Sequence, residues 1–276
     1  MESSLQLPII RIAGDSAKQG SDLLAIEEPL EIRLAFQDKM QNIAVTMRTP
    51  GNDTDLALGF LFTEGIIGGP ADVKGVDPFV NTILVTLNAG VMPDLRQAQR
   101  NFYTTSSCGV CGKASIDAIR TVHPAASPTW DRELLDAAFI LSLPERLVEA
   151  QKVFAETGGL HAAALFDLNG SLLLVREDVG RHNAVDKLVG AAMMAGRLPL
   201  ATSILLLSGR ASFELVQKAA MAGIQVIAAV GAPSTLAVSL ADEFGITLIG
   251  FLRNHRFNIY SGACRINVLV KENIAV

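Results

Sequence analysis

The chain has 276 residues, half of them apolar, with 23 basic and 28 acidic side chains and a net charge of −5. A compact domain holds roughly 100–200 residues, so one large domain or two intimately packed ones are expected. The apolar half and the 18% charged fraction exclude global disorder. The mildly acidic balance excludes a whole-surface footprint for nucleic acid and leaves only local basic patches.

The opening stretch MESSLQLPIIRIAGDSAKQG has no basic region followed by a long apolar core, so a soluble, cytoplasmic protein is expected. The uncharged run Ala219–Ala241 is broken by Gly223, Gln225, Gly231, Pro233 and several hydroxyl residues. A membrane span needs about 20 mainly apolar residues without such punctuation, so the run reads as a strand and then a helix. Three cysteines, Cys108, Cys111 and Cys264, cannot make a disulfide framework and are expected as thiols.

In chain order, Glu31–Phe36 and Asn42–Arg48 alternate in part and flank a turn at Gln37-Asp38-Lys39, which predicts a hairpin. A helix opens at Thr54, with Leu56, Phe60 and Leu61 on one side, and stops at Gly68-Gly69-Pro70. A strand over Val80–Leu87 follows. From Asn88 to Ala114 the texture is polar and glycine-rich around the cysteine pair, which reads as a loop or linker. Helices are predicted at Lys113–Thr121, Arg132–Leu141 and Pro144–Glu156, the last with Pro144 in its first turn.

The second half has another rhythm. Strands Ala162–Asp167 and Leu172–Arg176 flank Leu168-Asn169-Gly170, a strong hairpin signal. Helix Asn183–Ala195, strand Ser203–Leu207, helix Ser212–Met221, strand Gln225–Ala229, helix Ser234–Phe244 and strand Thr247–Phe251 then alternate. Continuous apolar strands between helices mark a parallel sheet covered on both faces, hence an α/β layered domain. The first part, by contrast, reads as smaller, mixed and largely antiparallel. The division is 1–100, a CxxC loop at 101–114, and 115–276.

Four constellations could carry chemistry. The sharpest is Ser107-Cys108-Gly109-Val110-Cys111-Gly112-Lys113. Two thiols with two residues between them can bind a metal, exchange disulfides or hold sulfur on one cysteine beside the other. Gly109 and Gly112 permit tight turns, while Lys113 and a following helix N-terminus would favour thiolate. A pair of inert buried cysteines is the bland alternative, opposed by the glycine and serine flanks. Zinc needs four ligands, and with no second CxxC and with His123, His161 and His182 scattered, no metal site is expected within one chain. A thioredoxin-like role would place the motif after a strand in a βαβ unit, which this context does not.

The second constellation, Glu177–Lys187, places five charged residues and His182 across a strand end and the next helix. Asp178 and Asp186 suit capping and ion pairing, which leaves Arg181 and His182 as candidates. Third, Ser208-Gly209-Arg210 and Gly231–Thr235 follow parallel strands, at the edge where α/β sheets bind ligands and anions. Arg210 and Ser234 could hold a phosphate there, although Ser234 could equally be a simple helix cap. Fourth, Phe251-Leu252-Arg253-Asn254-His255-Arg256-Phe257 sets two arginines and a histidine among aromatics. Arginine forks suit phosphates and stack on bases; a solvated basic loop is the alternative.

Taken together, these segments resemble one family. Cys108-Gly109-Val110-Cys111-Gly112, Thr157-Gly158-Gly159-Leu160-His161-Ala162-Ala163-Ala164, Glu177–Lys187, Ser208-Gly209-Arg210-Ala211-Ser212, Thr235-Leu236-Ala237-Val238 and Gly250-Phe251-Leu252-Arg253 occur in the order of the formate dehydrogenase accessory sulfurtransferases, called FdhD. Ala57-Leu58-Gly59-Phe60 and Thr63–Ile67 fit the family's N-terminal half.

The resemblance implies a cytidine-deaminase-like α/β domain with the smaller N-terminal portion. It also implies a protein that takes sulfur as a persulfide from a cysteine desulfurase. The sulfur passes to a molybdenum (or tungsten) bis(molybdopterin guanine dinucleotide) cofactor, bound as cargo and destined for the formate dehydrogenase catalytic subunit. By position Cys108 would bear the persulfide and Cys111 assist, and Phe251, Leu252, Arg253, Asn254, His255 and Arg256 would fall on the cofactor-binding stretch. His161 and His182 match motif positions without an assigned role.

Deaminase chemistry itself is not expected, because His161 is followed by alanines and the CxxC precedes it. Cys264 lies outside the motifs and is read as incidental. Sulfur hand-off at a subunit groove suggests a homodimer. The rival reading is a non-covalent chaperone for the cofactor or another guanine nucleotide, with thiols that play no covalent part; zinc-stabilised oligomerisation through the CxxC is a third.

Overall fold

The structure is a computed structural model that describes residues 2–95 and 134–267. The predicted helix Lys113–Thr121, Cys108, Cys111 and His123 lie outside the described residues. The chain opens with a two-stranded antiparallel ribbon, β1 (Ser4–Ala13) and β2 (Ser16–Ala25). Next come β3 (Glu28–Phe36) and β4 (Lys39–Arg48), the expected hairpin, with Gln37 turning at φ 52°. Helix α1 (Asp53–Thr63), β5 (Val73–Phe79) and β6 (Thr82–Leu87) complete a four-stranded sheet in the order β4-β3-β6-β5. Its pairs are antiparallel at both edges and parallel between β3 and β6. Strand β3 buries Leu30, Ile32, Leu34 and Phe36 on one face, against Leu56, Leu58 and Leu61 of α1. The predicted strand from Val80 starts only at Thr82, because Asn81 takes a left-handed turn residue at φ 53° between β5 and β6.

Downstream, β7 (Leu135–Asp136) leads into α2 (Ala137–Ala150), and α3 (Lys152–Thr157) follows. This corrects the two predicted helices divided before Pro144, which in fact lies inside α2. The stripe Ile140, Leu143 and Leu147 runs past the proline and is fully buried, and that burial outweighs the one hydrogen bond a proline removes.

The larger sheet has the order β13-β12-β11-β10-β8-β9. Its strands are β8 (His161–Asp167), β9 (Leu172–Asp178), β10 (Ser203–Leu207), β11 (Val226–Ala229), β12 (Thr247–Arg253) and β13 (Arg256–Ser261). The central β10, β11 and β12 are parallel, as the apolar runs imply, while hairpins attach β8–β9 on one side and β13 on the other in antiparallel pairing. The sheet is therefore mixed. A short β14 (Ile266–Asn267) pairs with β7.

Period-2 alternation explains why these strands are apolar throughout. Leu205, Leu207, Ile227 and Leu248 face the helices α4 (Arg181–Met194), α5 (Phe213–Met221) and α6 (Thr235–Glu243). Ile204, Leu206, Val226 and Ile249 face α2. The arrangement is a layered α/β body, as expected.

Helices α1 and α4 join the two sheets. They cross so closely that a Cβ on Gly59 would lie 1.8 Å from the Asp186 carbonyl oxygen, and one on Gly190 1.9 Å from that of Asp55. Buried ion pairs lock the crossing. Lys218 Nζ lies 3.0 Å from Asp186 and 2.9 Å from Glu64, and Thr63 Oγ1 donates to Asp186 at 2.7 Å. Burial alone would lower the Lys218 pKa, but Asp186 and Glu64 hold it well above its usual range. Arg48, fully buried, meets Asp53 at 3.0 Å, and Arg176 meets Asp55 at 2.8 Å.

Candidate functional site at the carboxyl edge of the central strands

Three loops leave the carboxyl ends of β10, β11 and β12, and backbone hydrogen bonds tie them together. Gly231 N donates to Gly209 O at 2.9 Å, Ala211 N to Ala232 O at 3.2 Å, Ser234 N to Ala211 O at 3.0 Å, and Phe251 N to Gly231 O at 2.9 Å. Glycine is required at this junction. A Cβ on Gly231 would meet Gly209 O at 2.9 Å, and one on Gly250 would meet Pro233 Cδ at 2.7 Å. The loops are thus a rigid extension of the sheet, at the edge where α/β proteins bind ligands.

On this edge Arg210 is exposed. Ser234 caps α6, its Oγ accepting from Ala237 N at 3.2 Å. The helix-cap role is therefore the one its geometry carries, although the residue remains exposed.

Phe251–Arg256 is a correction of shape. The expected loop is instead a tight β-hairpin in which Arg253 pairs with Arg256 across Asn254 and His255, both at φ 53°. Two consecutive left-handed residues make the type of turn whose twist matches antiparallel strands. Phe251 itself is a bulge at φ 53°, half-buried, with the Arg253 guanidinium 5.7 Å from its ring centre. Arg253, Asn254, His255 and Arg256 are exposed at the hairpin end. Leu252 is fully buried in the sheet core, so its side chain offers nothing to a ligand and only its backbone is near the edge.

Most of Glu177–Lys187 turns out to hold the fold. Glu177 accepts from the N–H groups of Val153 and Phe154 at 3.1 and 2.8 Å, capping α3. Asp178 is fully buried, pairs with Lys187 Nζ at 2.7 Å and accepts from Thr49 N, Gly180 N and Asn183 Nδ2. Asp186 belongs to the helix crossing. What remains at the edge is Arg181 and His182, the two residues the sequence singled out. His182 Nε2 lies 2.8 Å from Glu214 Oε2 and 3.3 Å from Ser212 Oγ. Among the described residues, Arg181 Nε is buried without a hydrogen-bond partner.

His161 pairs with Asp178 in the β8–β9 ladder, and its Nδ1 lies where a Cβ on Gly209 would be 3.2 Å away. Burial lowers its pKa below the ordinary 6.5; Arg181 and His182 push the same way, against a weaker pull from Asp178. The site therefore favours the neutral imidazole of His161.

The edge brings together Arg210, Ser234, Phe251, His161, Arg181 and His182; the hairpin carries Arg253 and Arg256 outward. Glu214 and Gln151 were missed from the sequence. Glu214 is an ordinary first-turn acid by pattern, and Gln151 was hidden inside a predicted helix. Cys264 is an exposed free thiol in a short turn after β13. Among the described residues no three His, Cys, Asp or Glu side chains gather as a metal ion requires, and no helix is long and apolar enough to cross a membrane.

Comparison with known proteins covers almost the whole molecule. Residues 25–267 match the FdhD/NarQ family model. A protein named sulfur carrier protein FdhD from Mycolicibacterium paratuberculosis is 51% identical over 277 residues, covering 96% of this chain and 100% of its own. Another of that name, from Picrophilus torridus, is 44% identical and covers 92% of this chain and 96% of its own. The crystal structure of a proposed formate dehydrogenase accessory protein from Desulfotalea psychrophila superposes with a TM-score of 0.76 at 26% identity, over 96% of this chain and 100% of that one. Fold, motif order and near-complete coverage agree: the chain belongs to the FdhD/NarQ family.

Proposed function

We propose that the protein is a sulfur carrier for the maturation of formate dehydrogenase. The observation that carries this is the near-full-length match to proteins named sulfur carrier protein FdhD, for a chain whose sequence has the glycine-flanked pair Cys108 and Cys111. In this reading the Cys108 thiolate attacks the outer sulfur of a cysteine desulfurase persulfide. A new S–S bond forms on Cys108 as the desulfurase thiolate leaves. Cys111 then attacks Cys108 Sγ and expels the carried sulfur as hydrosulfide, leaving a Cys108–Cys111 disulfide for a cellular dithiol to reduce.

The cargo that accepts the sulfur is the molybdenum (or tungsten) bis(molybdopterin guanine dinucleotide) cofactor, on its way to the formate dehydrogenase catalytic subunit. The edge is suited to such a cargo. Exposed Arg210, Arg253 and Arg256 can neutralise pyrophosphate oxygens, and the Phe251 ring offers a stacking plane. The work takes place in the cytoplasm on a homodimer.

The test is complementation of cells that lack the protein. Cys108→Ala abolishes formate dehydrogenase activity while the purified variant keeps its fold; client activity equal to wild type with Cys108→Ala refutes sulfur carriage and favours the non-covalent chaperone.

A further inference from the structure

The β1–β2 ribbon stands apart from the two larger sheets. It pairs Ser4 with Ala25 through to Ala13 with Ser16 without a break, and among the described residues neither outer edge has a strand beside it. Two strands alone are marginal in water; three or more, or a covering element, are needed for stability. The root is anchored after α3, where a Cβ on Gly159 would meet Ala25 Cβ at 3.6 Å. Beyond it Leu5, Leu7, Ile10, Ile12 and Leu24 are all exposed.

The backbone, a proline and the charges together select an edge and an occupant. Ile26 N donates to Ser3 O at 2.9 Å, and pairs in an antiparallel ladder alternate between bonded and non-bonded. The even-numbered residues of β2 therefore bond to β1, while Ala17, Gln19, Ser21 and Leu23 aim their N–H and C=O groups at the free edge. Leu23 N accordingly finds Asp22 Oδ1, at 3.1 Å. On β1 the outward positions include Pro8, opposite Ser21, and a proline, with no N–H, closes an edge to pairing. Strand β2 contains no proline, so the open edge is that of β2. Arg11 stands directly opposite Lys18, and like charges so placed are destabilising. Asp22 shares their face of the ribbon, with Gly20 midway between it and Lys18.

We propose that β2 pairs antiparallel with β2 of a second copy of this chain, about a two-fold axis at Gly20, to give one four-stranded sheet in the order β1-β2-β2-β1. This assigns the interface of the homodimer proposed above and rests on that reading. With Gly20 facing Gly20, Lys18 falls opposite the partner's Asp22 and Asp22 opposite the partner's Lys18, the reciprocity a two-fold axis requires. The Arg11–Lys18 pair thereby gains an acid. An axis moved by two residues would instead set Lys18 on Lys18 or Asp22 on Asp22. The ladder alternation fits the same register. Gln19 with the partner's Ser21, and Ala17 with the partner's Leu23, form bonded pairs from the groups that aim outward. Lys18 and the partner's Asp22 form a non-bonded pair, where side chains approach most closely.

The test is sedimentation equilibrium of the full-length protein at micromolar concentration, where the wild type is a dimer. Gln19→Pro removes an outward N–H and none that bonds to β1, and it weakens dimerisation at least about tenfold with an unchanged circular dichroism spectrum. Lys18→Asp, which sets like charges across the axis, weakens it about fivefold. Adding Asp22→Lys restores it, because the pairs re-form with their signs exchanged. Register is read by cross-linking in a chain whose Cys108, Cys111 and Cys264 are replaced by serine. Gly20→Cys gives a disulfide-linked dimer on mild oxidation, because Cα atoms of a non-bonded pair lie about 4.5 Å apart, within a disulfide's span. Ser16→Cys, far along the strand from its own copy, does not. Should Gln19→Pro not fold, the cross-link decides.

The inference is overturned by a wild-type chain that stays monomeric, by a dimer that folded Gln19→Pro leaves equally tight, or by Gly20→Cys that does not cross-link. In the last two cases a dimer remains and uses another surface. Persulfide loading of Cys108 separates the ribbon from the sulfur carrier. Loading on a chain that fails these tests removes the ribbon pairing and keeps the carrier, and a ribbon-paired dimer that never loads does the reverse.

Discussion

Gly190→Ala tests how the two sheets are held together. The added methyl would sit 1.9 Å from Asp55 O, 2.8 Å from Asp55 C and 2.9 Å from Gly59 N, all backbone atoms of α1. Real Cβ atoms stay beyond 3.0 Å of such neighbours, so α1 and α4 must part by about 1 Å. Neither can rotate away freely, because Asp186, one turn before Gly190, is buried against Thr63 and Lys218. Overpacking of this kind costs about 1–3 kcal/mol, occasionally more. The absence of any flexible side chain to yield puts this site at the upper end. At about 2–4 °C per kcal/mol for a chain of this size, melting falls by about 6–12 °C. Differential scanning calorimetry reads it directly, and Gly59→Ala, whose Cβ meets Asp186 O at 1.8 Å, behaves alike. A Gly190→Ala variant that melts within 1 °C of wild type refutes the close crossing.

Other outcomes follow from the same structure. Lys218→Met strands Asp186 in the core and costs about 3–5 kcal/mol; adding Asp186→Asn recovers a large part, and chemical denaturation of the single and double variants checks both. His161 has a lowered pKa, so unfolding binds a proton that the native state refuses. Stability therefore rises with pH up to about 6.5, the ordinary value. Proton NMR titration places the His161 midpoint below 6.5, and Arg181→Met moves it upward without reaching the ordinary value, because burial acts first. Replacing both Arg253 and Arg256 with Ala weakens GDP binding and flattens its salt dependence in calorimetry, while melting changes little because both are exposed.

Much of this architecture was legible in the residues. The strand Ser203–Leu207 appears with the predicted bounds, because five apolar or small residues between polar loops leave no other reading. Asn169-Gly170 turned the β8–β9 hairpin, with Gly170 at φ 88°. The β1–β2 ribbon was invisible because both of its faces are largely exposed, so no buried side imposed alternation. Strand β13 was hidden because Arg253–Arg256 looks like a loop by composition, yet Asn254 and His255 adopt the left-handed turn that returns the chain. At the site, Arg181 and His182 stood out because the acidic members of their cluster had obvious capping partners. Gln151 gave no signal, since only the packed structure leaves its Nε2 without a partner among the described residues.

Sulfur carriage on Cys108 is tested most directly by the intact mass of the purified protein after incubation with a cysteine desulfurase and cysteine, with Cys108→Ala and Cys111→Ala run alongside. The expected spectrum gains the mass of one or more sulfur atoms, loses the gain on treatment with reductant, and shows none in Cys108→Ala. An active desulfurase that adds no sulfur to the wild-type chain contradicts the carrier and leaves a protein that binds the cofactor without transferring anything to it.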